Sequence, residues 1–406
     1  MIKRQLYIDK LNEFKNIDFI KVIVGIRRCG KTTLLKTFMN ELINEGIPNE
    51  NIIYISFESL KYNHIKNSKE LDEVVLSLTK NITGKVYLFF DEIQEVEDWE
   101  KSINGYRVDL DSDIYVTGSN SQFLSTNLSS ILTGRYVLIN VYPFSFREIL
   151  QYKKEIENIT INKDTENDIF DEFMKFGGMP GILPLKNEES KLAALTDIFN
   201  TIIFRDIITR YKIKNSDMFE RFTYYLINTT GETFSANSIS NFFKNLARKV
   251  SKDTILRYAN YLVDSFFILK AKRFNLKGKN VLKIYEKYYL TDHGFHQSIV
   301  GHDQDAYTNL LENIIYIELL RRGYDVKVGD INNKEVDFVC EKYGNFIYIQ
   351  VSYKLENKNT QEREFKPLLM IDDNYDKYIL SMDTEDYSKR GIKHINIIDF
   401  LKYDEI

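Results

Sequence analysis

Residues Ile20 to Leu35 read IKVIVGIRRCGKTTLL. A short β-branched run, Ile20 to Val24, leads into Gly25, then four residues, then Gly30-Lys31-Thr32. A GxxxxGKT spacing between a strand and an apolar helix (Leu34, Leu35, Phe38, Met39) predicts a phosphate-binding loop. The glycines let the backbone turn tightly enough to aim successive N–H groups at one anion. The helix beginning at Lys31 adds its positive dipole end to the same point. Lys31 is expected to reach the β- and γ-phosphates of a nucleoside triphosphate, and the Thr32 hydroxyl to ligate Mg²⁺. Gly25, Arg28, Cys29, Gly30 and Thr33 complete the expected nucleotide cradle. Cys29 sits among N–H donors, an environment that lowers a thiol pKa.

Outward from this loop, the first 150 residues read as strands alternating with helices, the pattern of a parallel sheet covered on both faces. Ile52 to Phe57 is a second strand, and Leu71, Val74, Val75, Leu78 and Ile82 recur at helical spacing. The apolar strand Val86 to Phe90 ends on Asp91-Glu92. Asp91 is expected to hold the Mg²⁺ shell, and Glu92 to orient and polarise the attacking water. Ile114 to Thr117 is a further strand, ending in Gly118-Ser119-Asn120. Asn120 is the expected sensor of the γ-phosphate or the water, with Ser119 as the alternative. A polar helix follows, and then Gly134-Arg135 precedes the strand Tyr136 to Val141. An arginine placed there lies at the edge of the site, where it can reach the γ-phosphate of a neighbouring subunit in a homo-oligomer.

GIRRCGKTT, FFDEIQ, TGSNSQFLS, LTGRYVLINVYPFSFREIL and GGMPGIL together resemble the prokaryotic AAA-type ATPases that carry a fused carboxyl-terminal domain of unknown function, close to the archaeal ATPase and STAND branches of P-loop proteins. The resemblance runs over essentially the whole chain. It implies ATP rather than GTP, and no guanine-reading NKxD motif stands in the expected region. It also implies an α/β fold: a P-loop core over 1–150, a helical lid over 151–211, a winged helix over 212–295, and a restriction-endonuclease-like, PD-(D/E)xK-type domain over 296–406. Arg135 matches the family's GRY position, which resembles an arginine finger. Gly177-Gly178-Met179-Pro180 resembles a lid turn that places Pro180 against the adenine; on local grounds alone it reads as a helix stop.

Net charge is −4, so an argument for nucleic acid has to be local. Between Lys244 and Lys287 twelve lysines and arginines face only Asp253, Asp264 and Glu286. They coincide with two capped helices, at Ser235 and Ser251, and with a basic hairpin around Gly278. That is the pattern expected for DNA contact. Farther on, Glu312, Asp337, Gln350 and Ser352 fall where the nuclease-like resemblance places two carboxylates and a catalytic lysine. A neutral amide and a hydroxyl hold hard cations weakly, so an inert fold is expected, with Lys354 the candidate substitute for the lysine. No apolar run approaches the ~18 residues of a membrane span, and MIKRQLYIDK lacks a signal peptide's apolar core. With Cys29 and Cys340 the only cysteines, a reducing cytoplasm is the expected location. Three functions compete: an ATP-driven switch acting on DNA, an ATP-gated Mg-dependent nuclease, and a nucleotide-switched protein scaffold.

Overall fold

The computed structural model describes residues 2–121, 132, 134–246 and 248–403. The polar helix expected between Asn120 and Gly134 lies outside the described residues. The chain divides into two compact units, the first comprising Met1–Val141 with Asp264–Phe266. Its sheet has five strands: β1 (Ile20–Val24), β2 (Ile52–Ser56), β3 (Val86–Asp91), β4 (Ser112–Gly118) and β5 (Tyr136–Asn140). Their spatial order is β2-β3-β4-β1-β5, and every pairing is parallel. β1 and β3 are buried along their full length, which is why both are mostly apolar, with Lys21 the exception within β1 and Asp91 ending β3.

Register decides what this sheet can present. Val24 pairs with Gly118, Val116 with Phe90, and Ser56 with Asp91, so the ends of β1, β4, β3 and β2 align at one sheet edge. The helix Lys31–Asn44 is anchored on the sheet through Phe38, whose ring lies 5.3 Å from that of Tyr115. Tyr115 in turn stacks on Phe89 at 4.6 Å. Lys21 stands inside the buried strand β1, and its ammonium is paired with Asp113 and bonded to the Ile17 carbonyl at 2.9 Å. Asp113 also accepts from the Asn16 N–H and the Tyr115 hydroxyl. This fully paired ionic group closes the end of the sheet opposite the loop.

The second unit comprises Tyr142–Val263 and Phe267–Ile406. Helices span Phe146–Glu155, Lys163–Phe176 and Glu188–Asn200, the last continuing as a π-helix to Thr209. Ser216–Asn228, Ala236–Asn245 and Lys252–Asp264 follow. A seven-stranded mixed sheet contains β6 (Ile268–Asn275), β7 (Asn280–Leu290), β8 (Asp325–Ile331), β9 (Lys334–Lys342), β10 (Asn345–Val351), β11 (Asp376–Ser381) and β12 (Ile392–Asn396), in the order β12-β11-β10-β9-β8-β6-β7. The helix Tyr307–Arg321 precedes β8, and Lys358–Leu369 carries the chain from β10 to the parallel strand β11.

The hairpin β6–β7, which falls within the span read as a winged helix over 212–295, pairs with β8 through Arg273–Asn275. Its edge backbone groups are met by the following segment, so the wing and the carboxyl-terminal domain share one sheet. Among the described residues no helix is long and apolar enough to cross a membrane.

Candidate nucleotide site

The loop after β1 is shaped by close approach. A Cβ on Gly25 would fall 2.1 Å from the Val141 carbonyl oxygen, so only glycine fits there. Arg28 and Gly30 both take left-handed backbone conformations (φ 66° and 102°), which bends the loop back on itself before the helix starts at Lys31. Arg28 is exposed, and Thr32 and Thr33 are partly exposed on the first helical turn. From the amino-terminal segment the buried Arg4 guanidinium donates to the Cys29 carbonyl at 3.1 Å, bracing the loop from behind. The Lys31 ammonium donates to the Gly25 and Ile26 carbonyls at 3.0 and 3.3 Å and lies 3.6 Å from Glu92 Oε1. It points into the hollow of its own loop. Cys29 is fully buried, and desolvation raises its pKa despite the nearby Lys31 and Arg4 charges, which leaves it the ordinary role of a small side chain filling the loop rather than an activated thiol.

Asp91 collects three hydroxyls. Thr32 and Tyr54 each donate to Oδ2 at 2.8 Å, and Thr117 donates to Oδ1 at 2.7 Å. Glu92 sits at left-handed φ 57°, held there by its N–H donating to Thr117 Oγ1 at 2.9 Å. Its carboxylate accepts from Gln94 Nε2, which also lies 3.5 Å from Ser119 Oγ. Burial pushes the Glu92 pKa up, but the Lys31 charge and the Gln94 hydrogen bond outweigh it and hold the carboxyl below its usual range. Asn120 is buried just past the end of β4.

Lys31, Thr32, Asp91, Glu92, Ser119 and Asn120 are therefore gathered at one sheet edge. Tyr54, Thr117, Gln94 and Arg4 were missed by the sequence reading. The available signal was positional: a hydroxyl residue near the carboxyl end of a neighbouring parallel strand is aimed at the same edge.

Within the first unit, Arg135 stands apart from this group. Arg135 is exposed at the start of the edge strand β5 and donates to Asn104 Oδ1 at 3.1 Å. Tyr136 pairs with Ile20, and Asn140 with Val24. Arg135, one residue before Tyr136, therefore lies about 17 Å of strand away from the loop end. Pro180 belongs to the second unit, in a turn built around Asp292. That carboxylate accepts from the Gly178 and Gly294 N–H groups at 2.9 and 2.8 Å. A Cβ on Gly177 would meet Asp292 Oδ1 at 1.8 Å and one on Gly178 the Phe144 carbonyl oxygen at 2.1 Å, which accounts for the paired glycines.

Within the basic stretch, Arg248 pairs with Asp217, Lys270 with Glu286, and Arg273 with Glu335. Lys287 is buried and paired with Glu312 and Glu335, which removes it from the expected DNA face. The Lys283 side chain lies outside the described residues. Lys354 does not extend β10, which ends at Val351; it is exposed and pairs with Glu356 at 2.9 Å.

Comparison with known proteins agrees with this architecture. An AAA domain profile matches residues 18–150, and a domain of unknown function, DUF8612, matches residues 167–306. The chain is 36% identical over 402 residues to an uncharacterized protein of Haemophilus influenzae, covering 99% of this chain and 98% of that one. It is 31% identical over 395 residues to an uncharacterized protein of Methanocaldococcus jannaschii, covering 94% and 85%. Among solved structures, a Walker-type ATPase of Pyrococcus abyssi superposes with a TM-score of 0.52 at 16% identity, over 74% of this chain and 96% of that one. At that identity the likeness speaks to fold. The chain belongs to one family with the Haemophilus influenzae protein, and over residues 18–150 it carries the AAA-type domain of P-loop ATPases.

Proposed function

We propose that this protein hydrolyses ATP and uses the nucleotide state to control a DNA-contacting module in its second unit. The observation that carries the first half is the convergence of Lys31, Thr32, Asp91 and Glu92 at one sheet edge. Among the described residues Lys31 is held by carbonyls of its own loop and by Glu92, contacts that phosphate oxygens can replace. Thr32 Oγ1 and the Asp91 carboxylate, 2.8 Å apart, form an oxygen donor set suited to Mg²⁺. Bound there, the ion would neutralise charge between the phosphates. Glu92, ionised and steadied by Gln94, orients the attacking water. Asn120 and Ser119, at the end of the strand between β1 and β3, report the γ-phosphate. Arg135 starts a full strand length from its own loop and acts as a finger on the neighbouring protomer of a homo-oligomer.

The DNA half rests on the charge that stays exposed after ion pairing. Lys244, Lys249, Lys252, Arg257, Lys272, Lys277 and Lys279 remain on the surface of two consecutive helices and the hairpin that follows them. Phosphate contacts at all seven would give a salt slope of roughly −6 in log K against log salt.

Two titrations test the proposal. Lys31→Ala should abolish binding of a fluorescent ATP analogue; affinity equal to wild type would refute the nucleotide assignment. Duplex DNA should bind with a steep salt slope and change the ATP turnover rate. A flat slope with unchanged turnover would leave the scaffold reading in its place.

A further inference from the structure

The residues that resemble a nuclease centre do come together in the second unit, and they are all buried: Glu312 on the helix Tyr307–Arg321, Asp337 on β9, and Gln350 and Ser352 at the end of β10. They do not fit a divalent metal. The Gln350 side-chain oxygen accepts from the Asp337 backbone N–H at 3.3 Å, and Asp337 Oδ2 accepts from the Val351 N–H at 2.8 Å. Among the described residues no group of three acidic, histidine or cysteine side chains is arranged to hold a metal ion.

What stands among the carboxylates is a cation from elsewhere in the chain. Lys287, on β7, has only 4% of its surface exposed, and its ammonium lies 2.9 Å from Glu312 Oε1 and 2.6 Å from Glu335 Oε1. Tyr289, two residues along the same strand, donates its hydroxyl to the same Glu312 oxygen at 2.5 Å. The other Glu335 oxygen receives Arg273 at 2.9 Å. The backbone of Leu290 is clamped in both directions by the Asn313 side chain at 2.8 Å. β7 is thus fixed in register over the helix that carries Glu312, and the lysine cannot swing out without breaking this set.

We propose that the Lys287 ammonium is a built-in replacement for the metal ion of this pocket, so that the carboxyl-terminal domain takes no divalent cation and cuts no nucleic acid. The lysine ties the β6–β7 hairpin to the carboxyl-terminal sheet as one piece. The Glu312 and Glu335 carboxylates, matched by the Lys287 ammonium and the Arg273 guanidinium, leave no vacant charge for Mg²⁺. The buried lysine is also costly to displace, because Glu312 would lose its counter-ion. The inference concerns the second unit alone and stands or falls apart from the nucleotide reading.

The test uses nucleotide-free full-length protein and Mn²⁺, with free Mn²⁺ read by electron paramagnetic resonance. Wild type and Glu312→Gln should bind Mn²⁺ identically, since neither has a cation site in the pocket. Lys287→Ala should gain one equivalent bound at least tenfold more tightly than wild type binds any there, and adding Glu312→Gln should remove it. Lys287→Met, which keeps the packing of the stem, stands in should the alanine variant fail to fold. An Mn²⁺ equivalent present in wild type and lost in Glu312→Gln would overturn the proposal. So would a folded Lys287 variant that gains no Mn²⁺.

Discussion

Glu92→Gln separates binding from chemistry at this site. The amide is nearly isosteric and can still accept from Gln94, so the left-handed turn held by Thr117 should survive. It can no longer polarise water. A positioned general base contributes about 10²- to 10⁴-fold, or roughly 3–5.5 kcal/mol of barrier. Turnover should fall by that factor. In the ground state the change also removes a negative charge 3.6 Å from Lys31. At an effective dielectric of 20 that attraction is about 4–5 kcal/mol gross, most of which phosphate contact replaces in either protein. ATP affinity should therefore be unchanged or up to about tenfold tighter. Fluorescent-analogue titration and single-turnover phosphate release measure the two quantities separately. Because the Glu92 carboxyl is held below its usual range, wild-type turnover should persist as pH falls through the ordinary carboxylate range. Turnover of the variant within threefold of wild type would refute the assignment, and a large loss of affinity would show that Glu92 serves binding instead.

Other outcomes follow from single contacts. Arg135→Ala should bind ATP normally but lose about 10³-fold or more in turnover, and mixing it with Lys31→Ala protein should restore part of the rate; no rescue would reduce Arg135 to its contact with Asn104. Asp113→Asn leaves Lys21 buried without its counter-ion and should cost about 3–5 kcal/mol. The fluorescence of Trp99, the only tryptophan and buried in the first unit, reports that unfolding; an unchanged denaturation midpoint would contradict the pairing. In the second unit, burial raises the Asp292 pKa to about 6 and lowers that of His293 to about 4. Folded protein binds the Asp292 proton more tightly than unfolded chain, so this group removes stability as pH rises towards 6. Unfolded chain binds the His293 proton more tightly, so that group adds stability as pH rises from 4 to 6.5. Each is worth about 3 kcal/mol, and wild type should be nearly flat over this window. His293→Gln should lose stability with rising pH and Asp292→Asn should gain it; parallel curves for the two would refute the opposed pair.

What the sequence disclosed was what local spacing encodes. Gly25 to Thr32 is legible because one loop and one helix start supply the anion cradle, and Asp91-Glu92 because a buried strand ends there. Tyr54 and Thr117 read as ordinary strand residues, since nothing local says that parallel registry will bring both hydroxyls to Asp91. Lys21 looks misplaced in an apolar run until Asp113, on another strand, is seen beside it. The paired glycines before Pro180 read as a helix stop, whereas they make room for the Asp292 carboxylate at Gly177 and the Phe144 carbonyl at Gly178, both distant in sequence.

The basic stretch shows the same limit from the other side. Counting charge in a window assumes that the counter-charges lie in that window. Asp217, Glu312 and Glu335 all lie outside it, and they take up Arg248, Lys287 and Arg273. Burial then divides the run into two kinds of lysine that composition cannot separate. Those on the exposed helix faces and the hairpin tip keep their charge available to a polyanion. Lys287 gives its charge to the sheet behind it. Mutating members of the exposed set should therefore weaken DNA binding and flatten its salt slope. Lys287→Met, equal in formal charge change, should leave that slope nearly untouched and alter the cation chemistry of the second unit. A loss of salt slope in Lys287→Met as large as in Lys272→Met, with the fold intact, would show that the buried lysine had been placed on the wrong side of that division.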